Sequence, residues 1–161
     1  MNDPIEYRPL APGEEVEVSD LVVSCFHEFV AGDFDQEGTD EFLRYARPEA
    51  VAERLESDHI VLVARARGRP IGMIEIRRNE HVSLLFVDRG FQGRGVARQL
   101  LGRALELARS ARPDLDRVTV HASRYAVGIY RRLGFEPSGP ETIVNGIIFT
   151  PMVRVLGPKD A

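Results

Sequence analysis

The chain has 161 residues, 43% of them apolar and 29% charged, with a formal net charge of −4. Roughly 68–70% of the unfolded surface can be buried at that length, so one domain over residues 1–161 is the simplest expectation. No apolar run approaches the ~20 residues of a membrane span, and the negative balance disfavours a nucleic-acid binder.

Met1-Asn2-Asp3-Pro4 lacks the basic start and apolar core of a signal peptide, and the single cysteine, Cys25, has no partner for an internal disulfide. A cytoplasmic location is expected. Ile5–Arg8 reads as a first strand, closed by Pro9 and Pro12-Gly13. Glu14 to Val30 reads as a helix with Val18, Leu21, Val22, Cys25, Phe26 and Phe29 on its apolar face. Cys25 there is expected to be a buried thiol. Residues 31–39 read as a polar loop, with Thr39 or Asp40 capping a short helix to Ala46 and Pro48 opening another to about Ser57. Ile60–Ala66 and Ile71–Arg77 read as paired strands around Arg67-Gly68-Arg69-Pro70, and His81–Val87 as the next strand.

A helix follows from about Gly95 to Ser110, with Val96, Leu100, Leu101, Ala104, Leu105 and Ala108 on one face. Arg117–Ala122 is a strand, and Ser123 to Leu133 holds a short helix that Gly134 stops as a left-handed residue. Asn145-Gly146 between Thr142–Val144 and Ile147–Phe149 is a hairpin signal, and Pro151 implies a last strand that bulges or lies partly on an edge. The order β-α-α-β-β-β-α-β-α-β-β is an α/β fold, a mixed sheet with helices on both faces.

Gln92-Gly93-Arg94-Gly95-Val96-Ala97 joins the strand ending at Val87 to the long helix. A glycine-rich turn there presents free N–H groups at the positive end of a helix, which suits a phosphate. A dinucleotide fingerprint needs glycine or alanine where Arg98 stands, and a P-loop needs a lysine, whereas the only one is Lys159. By itself the turn could equally be a solvated helix cap. Together with Tyr130-Arg131-Arg132-Leu133-Gly134-Phe135 after the next strand, Gln-x-x-Gly-x-Ala resembles the acetyl-CoA-binding signatures of the GNAT superfamily of N-acetyltransferases. The resemblance runs from about Ile60 to Val155 and implies a sheet that splays between its fourth and fifth strands to hold the cofactor.

It implies acetyl-CoA as acyl donor and a small-molecule or peptide amine as acceptor; no pair of His, Cys or carboxylates has metal-ligand spacing, so no metal is expected. The main chain of Leu85, Phe86 and Val87 would hold the pantetheine arm and polarise the thioester carbonyl. The amides of Gln92, Gly93, Arg94, Gly95, Val96, Ala97 and Arg98 would hold the pyrophosphate. Tyr130 falls at the position of the general acid, with Tyr125 as runner-up. Ser123 replaces an asparagine that often bonds the pantetheine. His81 stands where the histone-acetylating branch has a glutamate base, with Glu75 and His121 as further candidates; an imidazole titrating near ~6.5 suits a base at neutral pH.

Residues 1–60 carry 16 acidic and 4 basic side chains, and the remainder 9 and 17. The cationic half carries the CoA signatures, and the acidic half would suit a cationic amine. Phe34, Asp33, Asp35 and Glu37, within the Phe26–Tyr45 region that meets the acceptor in this superfamily, are the candidates. The alternative is an acyl-CoA-binding sensor of the same fold without catalysis. Oligomeric state stays open, a homodimer among the options.

Overall fold

The computed structural model describes residues 4–158; Met1 to Asp3, part of the segment read above for a signal peptide, and Lys159 lie outside them. Alternation along β2 (His59–Ala66) sends Val61 and Val63 to one face of the sheet and Leu62 and Ala64 to the other, and all four are buried. A strand buried on both sides needs cover on both. On one face it comes from α1 (Glu15–Phe29), α2 (Gln36–Ala46) and α3 (Pro48–Leu55), through Val18, Leu21, Val22, Cys25, Ala46 and Val51. On the other it comes from α4 (Val96–Ala111) and α5 (Val127–Arg132), through Leu100, Leu101, Ala104 and Tyr130. The six apolar positions expected on α4 are the six it buries. Among the described residues no helix is long and apolar enough to cross a membrane.

The sheet runs β1-β2-β3-β4-β5-β8-β6, with β7 paired to β8. Its first half is an antiparallel meander of β1 (Glu6–Pro9), β2, β3 (Arg69–Arg77) and β4 (His81–Val87). Its second half joins β5 (Arg117–Ala122), β6 (Glu136–Pro137), β7 (Thr142–Val144) and β8 (Ile147–Val155). Only two parallel pairs, His81 with Thr119 and Val82 with Val120, connect the halves. Beyond Val82, β4 stays with β3 while β5 stays with β8, so the strands part into a wedge. The β3–β4 register also slips, Glu75 facing Leu84 and Ile76 facing Val82, which leaves Ser83 as an extra residue at the apex.

Four details differ from the sequence reading, the first being that three helices rather than the two of the expected order separate β1 from β2. The cap of α2 is Asp35, whose Oδ1 accepts from Gly38 N at 2.8 Å, so this helix starts earlier than Thr39. Gly38 is a poor helix former in isolation. Its place is fixed by the tip of the β7–β8 hairpin, since a Cβ on Gly38 would lie 2.1 Å from the Gly146 oxygen. Pro151 does not bulge β8, which pairs with β5 in unbroken register. The Pro151 carbonyl accepts from Ser138 N at 2.8 Å, so its missing N–H lies on the β6 side and costs the β5 ladder nothing. Finally, the two-residue β6 follows Phe135, where no strand was expected.

Cys25 is buried, with Sγ 3.8 Å from the Val87 carbonyl oxygen. Burial, with Asp88 and Glu28 nearby, pushes its thiol up to about 12.

Because only glycine fits between Asp35 and the hairpin, Gly38→Ala is expected to destabilise by about 1–3 kcal/mol, as overpacking does. At about 2–4 °C per kcal/mol for a chain of this size, the Tm falls by several degrees in a thermal melt. An unchanged Tm would show that the hairpin does not bear on α2.

Candidate active site

The turn after β4 is built for backbone exposure. A short 3-10 turn, Arg89–Phe91, buries Phe91 as an anchor, and Gly93 and Gly95 follow with φ of 78° and 79°. A Cβ at either glycine would meet nothing within 4 Å, so the left-handed backbone alone demands glycine there. Gly95 caps α4, and the N–H groups of Gly93 through Arg98 find no acceptor among the described residues. Such a row of unpaired donors at a helix start fits a diphosphate.

The wedge between β4 and β5 opens into a cleft of about 880 Å³. Asp88 N donates to the Ile71 oxygen at 2.8 Å, which sets the phase of the β3–β4 ladder. By alternation Leu85 and Val87 turn their main-chain groups to the gap, while those of Phe86 turn to β3. Gln92 Nε2 reaches the Val87 oxygen at 3.0 Å, and Tyr125 Oη reaches Gln92 Oε1 at 3.2 Å while stacking on Phe29 at 4.6 Å. A strand edge with no partner strand, its Val87 carbonyl met only by side chains, leading to the donor turn is what a CoA-type ligand with a peptide-like arm requires.

Of the residues singled out in the sequence, Leu85, Phe86, Val87, Gln92, Gly93, Gly95, Val96, Ala97, Arg98, Ser123, Tyr130 and His81 all line this cleft. Arg94 does not; its guanidinium lies over the Phe91 ring, 5.0 Å from the centroid. Arg98 Nη2 binds the Arg132 oxygen at 3.1 Å, and Ser123 Oγ accepts from Ala126 N at 3.3 Å.

Tyr130 packs edge-on to Phe135 with centroids 5.3 Å apart, and burial holds its phenol protonated well above its ordinary range. Its hydroxyl has no hydrogen-bond partner among the described residues, yet it is not one of the enclosed unpaired polar atoms. It therefore keeps access to the cleft. His81 Nδ1 is 2.8 Å from Thr119 Oγ1, and that hydroxyl donates to the Glu80 oxygen at 3.5 Å. With Nδ1 as the donor in that pair, Nε2 is left with a free lone pair. Burial first, then His121 and Arg77, lower His81 to about 4, so the ring is neutral at physiological pH. His121 stacks on Phe149 at 4.1 Å and is lowered too, by burial and then Arg77.

The far end of the cleft departs from the acidic acceptor site expected from composition. Phe34 lines it with Phe42, Tyr45, Arg77, Ile148 and Phe149, and Glu41 is its one acidic lining residue. Asp33 faces Arg124 at 3.8 Å, Asp35 is spent capping α2, and Glu37 does not line the cleft. Other acidic residues of this half pair at the surface, Glu6 with Arg8, Glu17 with Arg65 and Glu28 with Arg89. Glu75, a further base candidate in the sequence, is instead the buried centre of a polar cluster beneath this end, whose other members the sequence did not point to. Fully buried Glu75 takes Arg54 Nε at 2.8 Å and the hydroxyls of Tyr45 and Ser83 at 2.5 Å each. Serine and tyrosine in apolar runs carry no spacing signature.

A family model described as an acetyltransferase (GNAT) domain matches residues 30–156. The chain belongs to the GNAT acetyltransferases. Peptidyl-lysine N-acetyltransferase YjaB of Escherichia coli (strain K12) is 27% identical over 117 residues, which cover 73% of this chain and 70% of that protein. A GCN5-related N-acetyltransferase from Rhodopseudomonas palustris shares the fold at TM-score 0.79 and 24% identity, covering 97% of this chain and 99% of that one. PaiA N-acetyltransferase from Thermoplasma acidophilum, solved in complex with coenzyme A, does so at 0.75 and 19%, covering 95% and 99%. The GNAT chain described here is an acyl-CoA-dependent N-acetyltransferase.

The low His81 value has a consequence for stability. Between 6.5, the ordinary value, and about 4, the unfolded chain binds a proton that the folded one refuses. Stability therefore falls as pH drops through that window, and His59 and His121, also lowered, act in the same sense. Melts across this range should show a shallower acid slope for His81→Gln, and an NMR midpoint for His81 near its ordinary value would remove the effect.

Proposed function

We propose that this GNAT enzyme transfers an acetyl group from acetyl-CoA to a primary amine, on a protein lysine or a small molecule, by direct attack of the amine on the thioester. The observation that carries this reading is a buried, protonated and unpaired phenol, Tyr130, lining a wedge whose other end is a row of unpaired backbone donors. When bound, acetyl-CoA supplies an activated acyl group and a thiolate leaving group. The amides from Gly93 to Arg98 hold its diphosphate, and the main chain of Leu85 and Val87 aligns its arm.

The main chain at this level of β4 also polarises the reacting carbonyl. Tyr130 Oη gives its proton to the departing sulfur, since burial keeps that proton in place at neutral pH. His81 Nε2 accepts from the incoming amine, directly or through a water. Its lowered value makes it a weak base, but one that is always unprotonated and ready to accept. The relatedness to a peptidyl-lysine N-acetyltransferase supports a lysine side chain as acceptor. The weakly charged far end of the cleft, with aromatic walls, suits the methylene stem of such a chain.

Acetyl-CoA at 100 times its Kd should stabilise the protein by about 2.7 kcal/mol, read as a rise in Tm. Tyr130→Phe should leave that rise intact and lower kcat by about 10²–10⁴-fold, the usual worth of a general acid. Full turnover in Tyr130→Phe would exclude the tyrosine as acid; no Tm response to acetyl-CoA in the parent would exclude the donor.

A further inference from the structure

Ser83 stands at the apex of the wedge. It is the first residue of β4 beyond the last β4–β5 pair, Val82 with Val120, and the register slip leaves it without a partner on β3. It lies two residues, or about 7 Å along a strand, before Leu85, whose main chain faces the gap. On the functional reading above, the arm enters from the Gly93–Arg98 end, so the reacting carbonyl lies towards this apex. Tyr45, on α2, lines the same end of the cleft.

The hydrogens of both hydroxyls are committed elsewhere. Ser83 Oγ and Tyr45 Oη each donate to Glu75 Oε2 at 2.5 Å, and Arg54 Nε donates to Glu75 Oε1 at 2.8 Å. Glu75 is 0% exposed, so the carboxylate offers nothing to the cleft itself. A hydroxyl has one hydrogen and two lone pairs; once the hydrogen points inward, only lone pairs remain for a ligand. Burial and Glu75 push the Tyr45 phenol up to about 12, which keeps it a donor to the carboxylate. Arg54 also stacks on the Tyr45 ring, its guanidinium carbon 3.6 Å from the centroid, which fixes that side chain from the far side.

We propose that Ser83 and Tyr45 form the receptor for the acceptor nitrogen, two oxygens that take N–H hydrogens of a primary amine, and that buried Glu75 is the positioning residue that sets their polarity. The inference rests on the transferase reading. It adds selectivity: a primary amine supplies hydrogens for both oxygens and still presents a lone pair to the thioester. Once that lone pair has bonded to carbon, the nitrogen gives up one of those hydrogens to His81 Nε2, directly or through a water. An N-methylated amine has one hydrogen fewer. No proton passes to Glu75 in this arrangement; three donors converge on it, and its part is to hold two O–H bonds turned away from the substrate.

The test uses the full chain, a lysine-containing peptide and spermidine, each with its N-methylated counterpart, and acetyl-CoA as donor with release of coenzyme A as readout. Ser83→Ala should raise the KM for the amine by up to about tenfold, the upper end of what one neutral hydrogen bond is worth. The KM for acetyl-CoA should stay as in the parent, the Tm should fall because buried Glu75 loses one of its three donors, and the preference for primary over N-methylated amine should shrink. Ser83→Thr, which keeps the hydroxyl, should restore the amine KM and the preference. Glu75→Gln should act on the amine in the same way, because its amide donates to the hydroxyls and turns their hydrogens to the cleft. If that variant fails to fold, Ser83→Ala and Tyr45→Phe decide alone. Unchanged amine KM and unchanged selectivity in Ser83→Ala and Tyr45→Phe would overturn the inference and leave the transferase reading standing. A parent that binds acetyl-CoA yet acetylates neither probe would overturn both.

Discussion

The structure depends on a pairing that stops after two residues. His81 with Thr119 and Val82 with Val120 are enough to join two half-sheets, and every residue of β4 after them loses its neighbour on that side. An unpaired strand edge inside a protein is costly unless something hydrogen-bonds to it. Here the vacancy is kept open because each strand has a stronger commitment elsewhere: β4 to β3 across its length, and β5 to β8 in six register pairs. An extended, amide-bearing ligand can meet the bare edge as another strand would. The fold thus carries a deficit of hydrogen bonds in the place where its substrate can make them.

The two ends of the wedge have different polarity for separate reasons. The donor end owes its positive character to geometry: left-handed glycines and a helix start expose N–H groups without any side chain. At the other end, acidic and basic side chains mostly cancel, as Glu41 with Arg44 and Asp33 with Arg124 do. Arg77, two neutral imidazoles and several aromatic rings remain. An anion is therefore drawn to one end, and no strong field opposes an uncharged amine at the other.

The elements with strong periodicity were legible in the sequence, and so was the site that rests on the main chain. The six buried positions of α4, the Asn145-Gly146 hairpin and the glycine turn each follow from local chemistry: an apolar face, a left-handed pair, a backbone that must turn. What escaped was set by contacts distant in the chain. The start of α2 depends on Gly38 meeting Gly146, over a hundred residues away. The Glu75 cluster gathers side chains from α2, α3, β3 and β4 that share no spacing rule. The acidic character of residues 1–60 misled because composition counts charges without their partners; Asp35 and Asp33 were already engaged.

Cys25 lies under the floor of the cleft, against the Val87 carbonyl, with its proton held tightly by burial. Thiolate is the form that attacks disulfide reagents, and almost none exists at that sulfur near neutrality. Because Cys25 is also the sole cysteine, the folded enzyme is expected to react little with colorimetric thiol probes. Liberated coenzyme A can therefore be followed continuously against a flat baseline, and a rising background in a preparation reports unfolded chain.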